Sequence, residues 1–278
     1  MNCELRIANY QFANSRFEIA HFDIRDPYSV PLHTTEAIVI GGHDLAEADR
    51  IVVFYTKTLG KVRAVAEGMR RIRTRFGGSL QLFTEGQLVY FERPNKTLHK
   101  VNEFSVVRSH QLLREDLDRI ALASAAVEAV SLGAEEGEPS SDLYRLLAEG
   151  LDLLESAARP ATVLQGFLLH TLRLLGYMPE FSACVRCRGP VPPKAAVSLS
   201  PVHGGLICST CRPGTPDAFS SSPEALGFLR GASGSALRVM DRIALAPPTV
   251  REVSLTLHAF LRQVLGRPLR SADFLGRL

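Results

Sequence analysis

The sequence lacks any apolar run that could span a bilayer. Its longest hydrophobic stretches, Ile120 to Val130 and Val163 to Leu175, are interrupted by polar residues at helical spacing, whereas a spanning helix needs roughly 20 predominantly apolar residues. The first residues also lack the apolar core of a secretory signal and the acid-poor composition of a transit peptide, so a cytoplasmic protein with no membrane partner is expected. Cysteine is scarce, with five in 278 residues, and a chain of this length can bury a core without disulfide staples. Catalytic signatures are missing as well. Leu59-Gly60-Lys61 runs on into Val62 without the earlier glycine of a phosphate loop. There is no H-E-x-x-H helix, no G-x-S-x-G elbow and no G-x-G-x-x-G fingerprint. The carboxylates of Glu135-Glu136 and of Asp116 and Asp118 fall in a turn or on the polar side of a helix, where solvated charge is the default. A binding protein is expected rather than an enzyme.

What cysteine there is falls into two matched pairs, Cys184-Val185-Arg186-Cys187 and Cys208-Ser209-Thr210-Cys211, with twenty residues between them. Each C-x-x-C turn aims two thiolates at one point, and the intervening segment is long enough for a hairpin that returns the second pair. Turn formers follow both pairs, Arg188-Gly189-Pro190 and Arg212-Pro213-Gly214, and Gly204-Gly205 offers a bend between short apolar runs. This pattern reads as a ribbon at about residues 182–215 holding one structural Zn2+ per chain. All four tetrahedral positions would be filled by protein, leaving none for catalytic water. Two disulfides or a dithiol redox site are the competing readings. His203 lies between the pairs and is the alternative fourth ligand, while Cys3 reads as a free thiol.

Net charge is only +3, but its distribution is uneven. Seven cations, Lys57, Lys61, Arg63, Arg70, Arg71, Arg73 and Arg75, stand against one acid, Glu67, between positions 57 and 75. The rest of the chain is therefore slightly acidic. A concentrated positive segment on a near-neutral protein points to a defined polyanion contact, and a solvated basic loop without a ligand is the plainer alternative.

The first 33 residues are expected to form an extension, either disordered or adding an edge strand at Arg16 to Phe22. From 34 to 110 the pattern is period two. Runs at Ala37 to Ile40, Ile51 to Tyr55, Val62 to Ala66, Gln87 to Phe91 and Phe104 to Val107 predict five short strands. Their separators are Gly41-Gly42, Leu59-Gly60, Gly77-Gly78 and Arg93-Pro94-Asn95. Five strands in this length suit an OB-fold barrel, although a small sandwich or an SH3-like barrel leaves the same trace. Phe76, Tyr90 and Phe91 could stack on bases or fill the barrel core.

Beyond 110 the periodicity becomes helical. Stripes at Leu117 to Val130, Leu143 to Leu154 and Val163 to Leu175 precede the cysteines, and helices at Glu224 to Gly231 and Val250 to Leu265 follow them. The leucine stripes are core, and His170 and His258 on these apolar helices are expected to be structural. The fold class is therefore α+β, with a barrel at 34–110 and a mainly helical domain at 111–278 carrying the inserted ribbon.

An OB barrel joined to a four-cysteine site also occurs in DNA ligases, but no lysine here begins their Lys-x-Asp-Gly motif. The order of parts instead resembles the bacterial recombination mediator family RecO. The likeness is carried by Thr35-Glu36-Ala37-Ile38-Val39-Ile40, Glu47-Ala48-Asp49-Arg50-Ile51-Val52, Gly60-Lys61-Val62-Arg63-Ala64-Val65-Ala66 and Arg75-Phe76-Gly77-Gly78-Ser79-Leu80-Gln81. Leu175-Gly176-Tyr177-Met178-Pro179 before the first cysteine pair is similar too. The resemblance covers about residue 34 to the C-terminus, and residues 1–33 have no counterpart in it. It implies a nucleoid-associated, non-enzymatic protein that binds single- and double-stranded DNA and anneals complementary strands. With RecR, such a protein helps load RecA on strands coated by single-strand-binding protein. It also implies that Lys61, Arg63, Arg70, Arg71, Arg73 and Arg75 contact phosphates. An RNA-binding or ribosome-associated adaptor built from the same parts is the alternative.

Overall fold

The structure is a computed structural model that describes residues 31–45, 47–71, 74, 76–93, 96–191 and 197–271. The expected strand at 16–22 and the free thiol at Cys3 lie outside the described residues, as do Arg73 and Arg75.

Five strands, β1 (Leu32–Leu45), β2 (Asp49–Thr56), β3 (Gly60–Ala66), β4 (Glu85–Phe91) and β5 (Leu98–Arg108), close into a barrel in the order β1-β2-β3-β5-β4. All neighbours are antiparallel except β3 and β5, which pair in parallel from Arg63 opposite Leu98 to Val65 opposite Lys100. The architecture is OB-like. The run Ala37-Ile38-Val39-Ile40 shows why period two dictates it. Ala37 and Val39 fill the barrel interior with Phe54, Val62, Leu88 and Phe104, whereas Ile38 and Ile40 point outward into the core formed by the helices.

One boundary differs from expectation. Gly41-Gly42 does not end β1, which continues to Leu45 with a bulge between Val39 and Gly41. A Cβ on Gly42 would lie 2.5 Å from the Ile51 carbonyl oxygen, so glycine serves here to let β2 approach the strand.

Six helices are described: α1 (Gln111–Glu115), α2 (Leu117–Gly133), α3 (Ser141–Ser156), α4 (Pro160–Leu174), α5 (Pro223–Gly234) and α6 (Pro247–Leu265). Side-chain caps start three of them. Asp116 accepts from the N–H groups of Asp118 and Arg119, Ser140 from Leu143, and Ser222 from Ala225. α4 is buried on every side, with Val163, Leu164, Phe167, Leu168, Leu169 and Leu172 all in the core, and α2, α3, α5 and α6 pack around it. His170 is buried on this helix with its Nε2 at 3.1 Å from the Ala232 carbonyl oxygen, the structural role expected of it.

Between α4 and α5 the chain forms a second, three-stranded antiparallel sheet of β6 (Val197–Ser200), β7 (Gly205–Ile207) and β8 (Phe219–Ser221), in the order β7-β6-β8. The turn joining β6 to β7 is made at Gly204, whose φ of 78° is the left-handed conformation that glycine adopts without strain.

Candidate metal centre and nucleic-acid interface

The two C-x-x-C turns meet at the base of the β6–β7 hairpin. Pairing of Glu180 with Gly205, and the N–H of Val185 donating to the Leu206 carbonyl at 2.9 Å, dock the first turn on β7. Within each knuckle the backbone folds over its first cysteine. The N–H of Arg188 donates to the Cys184 carbonyl at 2.7 Å, and those of Cys211 and Arg212 donate to the Cys208 carbonyl at 3.1 and 3.0 Å. The result is four sulfur atoms within 4.8 Å of one another, with Cys187 Sγ and Cys208 Sγ 3.8 Å apart.

That separation excludes a disulfide between the pairs and matches a metal-bound tetrahedron. A disulfide needs about 2.05 Å, whereas a tetrahedron with metal–sulfur bonds of about 2.3 Å has edges of about 3.8 Å. All four cysteines are free thiols in this arrangement. Burial opposes the Cys184 thiolate, but backbone N–H groups of Cys187, Cys208 and Arg186 outweigh it and lower the pKa to about 6. Cys211 is pushed up to about 12, chiefly by its hydrogen bond with Cys208 and then by burial. Four neighbouring thiols cannot all ionise without a positive ion between them, and the donor set fits a metal ion. His203 is not part of it: its Nδ1 lies 2.9 Å from Ser200 Oγ, in a turn shared with Asp217.

The basic window, continuous in sequence, is divided in space. Within its first half, Lys61 and Arg63 reach the end of α2 and the segment after it. The Lys61 ammonium donates to the Ser131 and Ala134 carbonyls at 3.1 and 3.0 Å, where it satisfies the C-terminal end of α2. Burial lowers the Lys61 pKa, against the opposing pull of Glu136. Arg63 pairs with Glu136 at 2.9 Å and Lys57 with Glu36 at 2.8 Å. Glu136 is thus an ion-pair partner rather than the merely solvated carboxylate its turn suggests.

Of the second half, Arg70 and Arg71 follow β3 and lie beside the β1–β2 turn. Arg70 and Arg71 are exposed there. Arg70 approaches Asp44 loosely at 3.7 Å, and the backbone is fixed by Gly68 N–H donating to Asp49 Oδ1 at 2.8 Å. The one acid of the window, Glu67, is paired at 2.7 Å with Lys100 of β5. Lys100 was not legible as a member of this cluster, because only the parallel pairing of β3 with β5 brings it there.

The aromatic candidates separate in the same way. Phe76 and Tyr90 are buried in the barrel interior. Tyr90 has His33 and His99 at ring-centroid distances of 5.3 Å each, and its pKa is raised to about 12 by burial. Phe91 alone is partly exposed.

Comparison with known proteins adds an independent line. The family model described as Recombination protein O N terminal matches residues 30–110, and that described as Recombination protein O C terminal matches residues 114–273. The chain is 36% identical over 241 residues to the DNA repair protein RecO of Anaeromyxobacter sp. strain K, covering 87% of this chain and 94% of that protein. Against its counterpart from Nocardioides sp. the identity is 35% over 249 residues, covering 88% of this chain and 100% of the relative. For the protein of the same name from Symbiobacterium thermophilum the figures are 33% over 249 residues, 89% and 98%.

Proposed function

This chain belongs to the Recombination protein O family of DNA repair, and from that premise we propose that it is a non-catalytic recombination mediator that grips DNA through the outer rim of its barrel. In this reading it binds single- and double-stranded DNA, anneals complementary strands and, together with RecR, helps load RecA on strands covered by single-strand-binding protein. It would do so in the bacterial cytoplasm, on the nucleoid. No helix among the described residues is long and apolar enough to cross a membrane.

The observation that carries the DNA contact is the division of the basic window. Arg70 and Arg71 stand exposed beside the β1–β2 turn, and Lys100 neutralises Glu67 next to them. Arg73 and Arg75 belong to the same stretch of chain and are assigned here as further phosphate contacts. Lys61 and Arg63 are assigned mainly to holding the barrel against the end of α2 and Glu136, and Lys57 to its pairing with Glu36 within the barrel. Contacts of this kind are electrostatic and carry little sequence preference.

The metal fits the same economy. We assign the four-cysteine centre to Zn2+, one per chain. Cys184, Cys187, Cys208 and Cys211 would hold it, and its bound charge would let the four thiolates coexist and fix the small sheet.

The test is the salt dependence of binding to a single-stranded oligonucleotide. Each neutralised phosphate contributes about 0.7 to the slope of log affinity against log salt. Replacing Arg70, Arg71, Arg73 and Arg75 together by Ala should lower that slope by about 2–3 and slow strand annealing in parallel. Lys57→Ala should leave both unchanged. An unaltered slope in the fourfold variant removes the proposed rim. Preference for RNA over DNA of equal length would turn the reading toward an RNA-binding adaptor.

A further inference from the structure

At the end of the barrel away from Arg70 and Arg71, three rings lie in one stack. His33 stands at the start of β1, whereas Asp44, beside Arg70, is near the strand's finish. His33 lies opposite Tyr90 of β4 in the strand register, and His99 sits on β5, the other neighbour of β4. The ring centroids of His33 and Tyr90 are 5.3 Å apart with their planes at 23°, and those of Tyr90 and His99 are 5.3 Å apart at 40°. Tyr90 is the buried middle member, 3% exposed, while both imidazoles are partly open to solvent.

Each imidazole is fixed at a ring nitrogen. Glu92 Oε2 lies 2.5 Å from His33 Nε2, and the N–H of Arg93 donates to His99 Nδ1 at 3.2 Å. Such bonds are made at the ring edge, so they orient the rings without using their faces. Burial lowers the His99 pKa against the opposing pull of Glu92, which leaves this ring an uncharged plane near neutral pH. The neighbouring charge narrows what the stack can take. Glu92 is partly exposed beside it, and its carboxylate repels a phosphate placed there. The complement is a flat, uncharged group, and every nucleobase offers such a face. Arg93, whose charge also reaches His99, suits the phosphate that flanks a stacked base.

We propose that His33 and His99, backed by Tyr90, form a base-stacking ledge for single-stranded DNA, a second contact remote from the arginine rim. The ledge rests on the DNA binding proposed above and gives it a component that is not electrostatic. From His33 to Asp44 the strand reaches at most about 36 Å. One barrel of this kind engages about 4–16 nucleotides, so a single strand can meet the rim with its phosphates and the ledge with its bases. In a duplex the base faces are already stacked on one another, and the ledge contributes nothing there.

The test uses the full chain with a single-stranded oligonucleotide carrying 2-aminopurine and with an abasic oligonucleotide of equal length. His33→Ala/His99→Ala should bind the base-containing strand about tenfold more weakly. It should lose the 2-aminopurine quenching shown by the parent and keep the parent's salt slope, because no phosphate contact is removed. On the abasic strand parent and variant should bind alike. His33→Phe/His99→Phe keeps two flat rings without their hydrogen bonds, and should restore the quenching and bring affinity to within about threefold of the parent. Parent-like binding and quenching by the Ala variant overturn the proposal. An equal loss on the abasic strand, a lowered salt slope or a Phe variant that behaves like the Ala one overturns it too. The rim is read from the salt slope of the arginine variant and the ledge from the abasic comparison, so either can fail while the other stands.

Discussion

An ammonium aimed at two carbonyls behaves differently from one held in water, and Lys61 is placed in the first way. Its stem crosses the outside of β3 and its head satisfies the last turn of α2, seventy residues further along the chain. Charge-assisted hydrogen bonds of this kind are worth about 1.5–3 kcal/mol, largely because removing the donor leaves buried acceptors unsatisfied. Lys61→Ala should therefore lower stability by about 2 kcal/mol in urea unfolding, while DNA affinity of the folded variant changes little. Arg71→Ala should show the reverse pattern, with stability within about 0.5 kcal/mol of the parent and weaker DNA binding. Equal behaviour of the two variants in both assays would remove the distinction drawn here between an inward and an outward half of the basic window.

At the scale of elements, the barrel strands were legible because alternation is a local property. All five expected runs lie within observed strands, and the helices at 117–133, 141–156, 160–174, 223–234 and 247–265 likewise follow their apolar stripes. α1 was not legible, since five residues complete little more than one turn and show no periodicity. The cysteine cluster was legible from spacing alone, because two C-x-x-C turns need only a hairpin to meet. The split of the basic window was not, since nothing in residues 57–75 announces that Glu136 and the end of α2 will lie against Lys61 and Arg63. The metal reading has its own consequence at this scale. The three-stranded sheet is small, and its ends are tied by the knuckles at Cys184–Cys187 and Cys208–Cys211. Chelation of stoichiometric zinc, or Cys187→Ser, should accelerate amide exchange in residues 180–211 and 219–221 and leave the barrel strands protected. The melting midpoint should fall by several degrees, about 2–4 °C for each kcal/mol lost in a chain of this size. Elemental analysis that finds no zinc in chains purified without chelators would sink the assignment.

Across the whole molecule, acid should act on several elements at once. His99 on β5, His170 on α4 and His258 on α6 each have a pKa lowered from the ordinary value of 6.5, in every case chiefly by burial. His258 has no hydrogen-bond partner for its Nε2 among the described residues. A lowered histidine stays neutral in the folded chain while the unfolded chain takes up a proton. The unfolded state therefore binds more protons below pH 6.5, and stability falls with pH from that value down to each folded pKa. Each group contributes at most ~1.4 kcal/mol per pH unit within that window. The carboxylates of Glu180 and Asp217 add to the loss only lower, below their ordinary values of 4.5 and 3.8. Glu180 is held down mainly by the Ser182 N–H; at Asp217 burial raises the pKa, but hydrogen bonds led by the Ser200 hydroxyl outweigh it. Urea midpoints measured between pH 7.5 and 5 should thus decline before the losses from Glu180 and Asp217 begin. His170→Gln, which keeps a donor for the Ala232 carbonyl, should flatten that decline measurably. A decline that begins only below pH 4.5, identical in parent and variant, would show that the buried imidazoles do not govern the acid response.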